Sequence, residues 1–192
     1  MENSATTESG RLGRFEFLAM NSPIREWSMK QWEFPLVRDM LQTHGIDLSG
    51  KIIVDLGCGS GYGTGLLLKE FKPSRIIAFD IMPEQIELAK KRNLDVDFKI
   101  GDATAIDMPD SSCDAVFDFG ILHHISVWRK ALSESVRVLV PGGIMFIEEP
   151  HKTFEWDEFE SGIQEAGFKI LERRQWYFGF FRFFLGQKQL NC

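Results

Sequence analysis

The run Lys51 to Leu56 (KIIVDL) is almost wholly apolar, carries Asp55 near its end, and leads straight into Gly57, Gly59, Gly61 and Gly63. A continuous apolar run of this length fits a strand buried on both faces, and glycines after it let the chain turn sharply into a helix. A strand buried on both faces needs helices on both sides of its sheet, which points to the α/β class.

The rest of the chain repeats that unit. Thr64 to Phe71 has helical spacing, and Arg75 to Asp80 (RIIAFD) is a second buried strand. Pro83 suits the first turn of a helix whose far end, Lys90-Lys91-Arg92, complements its dipole. Val96 to Gly101 reads as strand three, Asp102 to Ser112 as loop, and Asp114 to Asp118 as strand four. Ser126 to Leu139 is helical up to a stop signal at Pro141-Gly142-Gly143, and Ile144 to Glu148 is strand five. Glu155 to Ala166 is a helix closed by Gly167, followed by strands Phe168 to Trp176 and Phe180 to Lys188. The short turn Tyr177 to Gly179 between them permits only an antiparallel hairpin. Phe181, Phe183 and Leu185 share one face of the last strand and Phe180, Arg182 and Phe184 the other, so this strand belongs inside the sheet.

The expected fold is a doubly wound, Rossmann-like α/β sheet of seven strands, mostly parallel with an antiparallel C-terminal hairpin strand and helices on both faces. A single domain over residues 1–192 is expected, with a polar, disordered leader over 1–14, a helix-rich segment over 15–45 and the core over 46–188. The aromatic N-terminal segment, with Trp27, Trp32 and Phe34, reads either as a cap or as one more layer of the core.

The net charge of −6 argues against a nucleic-acid partner. No apolar run reaches the roughly 18–20 residues of a membrane helix, and Met1 to Gly10 has no signal-peptide pattern. Cys58, Cys113 and Cys192 form neither a disulfide framework nor a metal pattern, so a cytoplasmic setting is expected. The 17 Phe residues leave room for a homodimer patch, although the sheet can bury most of them.

What the glycine loop holds follows from its neighbours. The dinucleotide fingerprint would put a glycine at position 62, which is Tyr62, and no Gly-Lys-Ser/Thr closes a P-loop. These count against a nicotinamide or flavin enzyme. Asp55, just before the glycines, would repel a pyrophosphate and attract an ammonium. Asp80, 19 residues after Gly61, can accept hydrogen bonds from both hydroxyls of a ribose, and Asp102 is a third acid on the same sheet edge. These features describe a ligand with an amine, a ribose and a base but no phosphate. S-adenosylmethionine has all three.

The chain resembles the class I S-adenosylmethionine-dependent methyltransferases, in the group acting on small molecules. The resemblance covers roughly Ile46 to Lys188 and rests on VDLGCGSGYG, FDIMPEQIELAKKR, GDATAIDMPDSSCDAVFDFGILHHI and LVPGGIMFIEE, in that order. It implies that Asp55, Gly57, Cys58 and Gly59 hold the methionine part and Asp80 the ribose. Ile81 and Met82 would flank the adenine, with Asp102 and the Ala103 backbone at its edge and Phe119 near the sulfonium. S-adenosylhomocysteine would be the product and a small molecule the acceptor.

Ligands of open parallel sheets bind beyond the carboxyl ends of the strands, so a base is sought after strands four and five. His124, then His123, are the candidates for a base or an acceptor-orienting group; Glu148, Glu149 and His151 lie nearby. No metal is expected, because adjacent histidines rarely aim at one point. Any lid must come from the N-terminal helices or a second subunit. The remaining alternative is a module that binds S-adenosylmethionine without transferring its methyl group.

Overall fold

The computed structural model describes residue 13, residues 21–176 and residues 180–190. The expected leader, apart from Gly13, lies outside these residues, as do the Tyr177 to Gly179 turn and Cys192. Seven strands form one sheet in the order β3-β2-β1-β4-β5-β7-β6. They are β1 (Ile52–Leu56), β2 (Arg75–Asp80), β3 (Asp97–Ile100), β4 (Cys113–Phe119), β5 (Leu139–Pro150), β6 (Phe168–Trp176) and β7 (Phe181–Lys188). The first five are parallel, while β7 runs antiparallel between β5 and β6. The doubly wound sheet and the interior place of the last strand are as the sequence pattern implies.

Side-chain alternation divides the core into two layers. Ile53, Ile76, Ala78, Phe117, Phe146, Phe183 and Leu185 face one side, with Leu67 of helix α3 (Tyr62–Phe71) and Ile86 of α4 (Pro83–Lys90) over them. Val54, Ile77, Phe79, Val116, Met145, Ile147 and Phe184 face the other. There they meet Ala131 and Leu132 of α5 (Trp128–Val138) and Phe159 and Ile163 of α6 (Trp156–Glu165). Burying a side chain of this size contributes about 1.5–3 kcal/mol, so the central strands anchor the molecule.

The N-terminal segment is both cap and core layer. Helix α2 (Phe34–Thr43) buries Phe34, Leu36, Val37, Met40 and Leu41 in the first layer. Helix α1 (Pro23–Ser28) buries nothing of its own. Between them Met29–Glu33 forms a π-helical turn, closed by the Phe34 N–H on the Met29 carbonyl. Pro35 has no N–H to give to the carbonyl four residues back, which favours the wider turn just before it. The widening turns Met29 and Glu33 inward, and both are buried.

Strand β5 starts earlier than its glycines suggest. Helix α5 stops at Val138, but Leu139 already pairs with Cys113 and the register then jumps to Ala115 with Ile144. Pro141-Gly142-Gly143 is therefore an irregularity within the strand rather than a loop before it. Asp114 accepts the Ile52 N–H at 2.9 Å and pairs with Lys51 at 3.3 Å.

Candidate functional site

The carboxyl ends of β1, β2, β3 and β4 open into one cavity, which α1 and the π-turn cover with Arg25 and Met29. The glycine loop forms its floor. Gly57 has φ +66°, and a Cβ there would lie 2.1 Å from Ile121 Cγ2, so only glycine lets the loop pass under the segment after β4. Gly59, at φ +53°, has nothing within 4 Å of where its Cβ would point. The Cys58 N–H bonds the Phe79 carbonyl at 2.9 Å and ties the loop to β2.

Asp55, Gly57, Cys58, Gly59, Asp80, Ile81, Met82, Asp102, Ala103 and Phe119 all line this cavity, so the structure brings together every residue singled out for the cofactor. Asp80 is an organiser as well as a wall. Its Oδ2 accepts the Gly59 N–H at 2.9 Å and its Oδ1 the Met82 N–H at 2.8 Å. Each oxygen keeps a second lone pair. Asp102 Oδ1 accepts the Thr104 N–H at 2.7 Å, a turn that holds Ala103 on the wall. Asp55 is 1% exposed; its Oδ2 accepts from Thr64 Oγ1 at 2.6 Å, while its Oδ1 is buried with no hydrogen-bond partner among the described residues. Burial raises this carboxyl to about 7, against the Thr64 hydrogen bond that lowers it. Gln85, from α4, also lines the cavity with a buried, unsatisfied Oε1.

The other end of the cavity stands on buried carboxyl groups at the ends of β4 and β5. Asp118 Oδ1 accepts the Gly120 and Ile121 N–H groups at 3.0 and 2.8 Å. Glu149 Oε1 accepts the Leu122 N–H at 2.7 Å, and its Oε2 lies 2.7 Å from His123 Nδ1. Asp118 Oδ2 is buried without a hydrogen-bond partner among the described residues; burial drives the carboxyls of Asp118 and Glu149 upward, and the charge of Glu149 adds to the rise at Asp118. Glu148 Oε2 and Glu33 Oε2 are likewise buried without partners among the described residues, and Glu148 is raised by burial and then by the charge of Glu33. Arg25 closes this group with an ion pair to Glu33 and Nη2 3.7 Å from Glu148 Oε1.

The two candidate histidines therefore divide. His124 lines the cavity, whereas His123 turns to Glu149, with the two ring centres 3.9 Å apart. His151 faces elsewhere, bonded to Arg182 Nε at 3.1 Å and stacked on Trp156. Among the described residues, no group of three or more His, Cys, Asp or Glu side chains is arranged to hold a metal. No helix among them is long and apolar enough to cross a membrane. The basic cluster Lys90-Lys91-Arg92 does more than complement the dipole of α4. Arg92 Nε bonds the Ser60 carbonyl at 2.6 Å, its Nη2 meets Glu26 of α1 at 2.5 Å, and its guanidinium lies 5.3 Å from the Tyr62 ring centre.

Arg25, Glu33, Asp118 and Gln85 escaped the sequence reading as site residues. The available signal was the pair Glu148-Glu149 in an apolar strand, since buried charges need partners and imply further polar groups packed against them.

A family model described as a methyltransferase domain matches residues 54–147. A fatty-acid O-methyltransferase from Mycolicibacterium smegmatis is 28% identical over 130 residues, covering 67% of this chain and 47% of that protein. A phthiotriol/phenolphthiotriol dimycocerosates methyltransferase from Mycobacterium tuberculosis is 31% identical over 132 residues, covering 68% and 49%. The chain thus spans about half the length of these two curated relatives. The solved structure of an S-adenosylmethionine-dependent methyltransferase from Aquifex aeolicus superposes with a TM-score of 0.75 at 18% identity, covering 92% of this chain and 99% of that one, which shows the fold. Residues 54–147 thus match the methyltransferase domain family, and the sheet as a whole has the fold of the S-adenosylmethionine-dependent methyltransferases.

Proposed function

We propose that the chain transfers the methyl group of S-adenosylmethionine to a small acceptor with an apolar body. The observation that carries this reading is the continuity of the cavity from the acidic edge at Asp55, Asp80 and Asp102 to Arg25 and His124. The residues present fit the cofactor. The buried, unsatisfied Asp55 Oδ1 calls for a cationic donor such as an ammonium, and the open space at Gly59 admits a ligand against the backbone.

When bound, S-adenosylmethionine supplies a methyl group already activated by its sulfonium, so the protein has to hold, orient and exclude water. In this reading Asp55, Gly57, Cys58 and Gly59 hold the methionine end. Asp80 takes the ribose on its remaining lone pairs, and Ile81, Met82, Asp102 and Ala103 enclose the adenine. Phe119, stacked on Phe34 at 5.5 Å, walls off the reacting region. His124 orients the acceptor, and His123, clamped by Glu149, supports it. Met29, Ile121, Ile125 and Val127 give the acceptor end an apolar lining, and one matched relative is named for fatty acids. The acidic charge of the chain suits a metabolite better than a nucleic acid. A reducing cytoplasm suits the free, buried Cys58 and Cys113.

The test is incubation with methyl-deuterated S-adenosylmethionine and a panel of apolar acids, alcohols, phenols and amines, read by mass spectrometry. A labelled product that is lost in Asp80→Ala is expected. Tight binding of the cofactor with no labelled product from any acceptor would favour a binding module over an enzyme.

A further inference from the structure

Arg25 is the one arginine lining the cavity among the described residues, and its side chain keeps 18% of its surface exposed. Its guanidinium is only half engaged. Nη1 is committed to Glu33, itself fixed by Ser28 Oγ at 3.0 Å. Nη2 lies 3.7 Å from Glu148, beyond hydrogen-bond reach, and Nε has no hydrogen bond among the described residues. Neither atom is among the buried, unsatisfied ones, so both remain accessible. Nε–H and Nη2–H lie on the same edge of the guanidinium and point the same way, which is the fork that takes the two oxygens of a carboxylate. The cavity that it lines also has apolar wall residues, Met29, Phe119, Ile121, Ile125 and Val127, alongside the polar Asn21 and His124.

Resting on the methyltransferase reading above, we infer that the acceptor is an apolar carboxylic acid, bound as its anion by the Nε/Nη2 edge of Arg25. A carboxylate satisfies both free donors, whereas an alcohol satisfies one, and an ammonium would set its charge against the guanidinium. The apolar walls take the body of the acid. On the cavity wall Val127 is 56% exposed, which suits a chain too long to be enclosed. A carboxylate oxygen already carries the lone pair that would form the bond to the methyl carbon as the methyl–sulfur bond breaks, giving a methyl ester and S-adenosylhomocysteine with no proton to lose. This end of the cavity therefore needs no base, and His124 has only to orient.

The test is calorimetric titration of protein saturated with S-adenosylhomocysteine, using two matched sets of probes. One is decanoate, 1-decanol and decylamine; the other is 3-phenylpropionate and 3-phenylpropanol. Arg25→Ala would strand Glu33 in a buried site, so the variant is Arg25→Lys, which keeps the charge and removes the fork. In the wild type, at least one acid should bind about tenfold or more tightly than its alcohol, with decylamine weakest. In Arg25→Lys that preference should shrink to about threefold or less, with S-adenosylhomocysteine binding little changed. No preference for either acid in the wild type, or a full preference in Arg25→Lys, overturns the inference. If S-adenosylhomocysteine itself fails to bind, the cofactor reading falls and this inference falls with it.

Discussion

Glu149 Oε2 and His123 Nδ1 meet at 2.7 Å, and the other oxygen of the same carboxyl holds the Leu122 N–H. One fully buried group at the end of β5 thus sets the conformation of the short 3-10 turn Leu122–His124 after β4, and with it the side on which His124 faces the cavity.

Glu149→Ala removes both contacts, leaving the buried Leu122 N–H without an acceptor. The expected cost is about 2–4 kcal/mol of stability, measured by urea unfolding. A loss below about 0.5 kcal/mol would show that the turn holds without it.

The carboxyl of Asp55 should govern the pH dependence of cofactor binding. Burial raises it in the folded protein from 3.8 to about 7, so folding takes up a proton on this group between those values. Its contribution to stability is therefore full below about pH 4 and declines as pH rises towards 7. A cationic ligand needs the ionised form. Affinity for S-adenosylhomocysteine should rise with pH up to about 7 and then level off, with proton release on binding. Calorimetry in buffers of different ionisation enthalpy reads both, and Asp55→Asn should flatten the profile.

The strands were legible because their residues carry the pattern themselves. RIIAFD gives β2 its limits, and the alternating faces of β7 place it inside the sheet. Strand β5 was shorter on the page than in the fold, because Pro141-Gly142-Gly143 has turn chemistry that the neighbouring β4 accommodates as an irregularity. The cofactor end was legible because its acids sit at strand ends. The acceptor end was not, because Arg25 and Glu33 in a polar helical stretch look like solvated charges. The turn that brings Glu33 inward and the approach of Arg25 to Glu148 at the end of β5 arise only in the fold.

Two glycines of the loop should fail in different ways. Gly57→Ala puts a methyl group 2.1 Å from Ile121 Cγ2 as well as forcing φ +66°, so it should lose both stability and ligand binding. Gly59→Ala meets no protein atom, so it should cost only about 1–2 kcal/mol for the left-handed backbone. It should still weaken S-adenosylhomocysteine binding, because the new methyl group points into space the ligand needs. Equal damage to stability from both, in thermal unfolding, would contradict this.

His124→Ala should raise the KM of an acid acceptor more than it lowers kcat, with kcat reduced less than about tenfold and its pH profile retained. A fall of about 100-fold in kcat, with loss of the low-pH limb, would make His124 a base.

The most direct test of the central claim is thermal unfolding with S-adenosylmethionine, S-adenosylhomocysteine or NAD, on wild type and Asp80→Ala. A ligand at a hundred times its Kd adds about 2.7 kcal/mol, a rise of about 5–11 °C for a chain of this size. Stabilisation of the wild type by the first two ligands and not by NAD, lost in Asp80→Ala, is the predicted result. Stabilisation by NAD, or by none of the three, would contradict the account of the glycine loop.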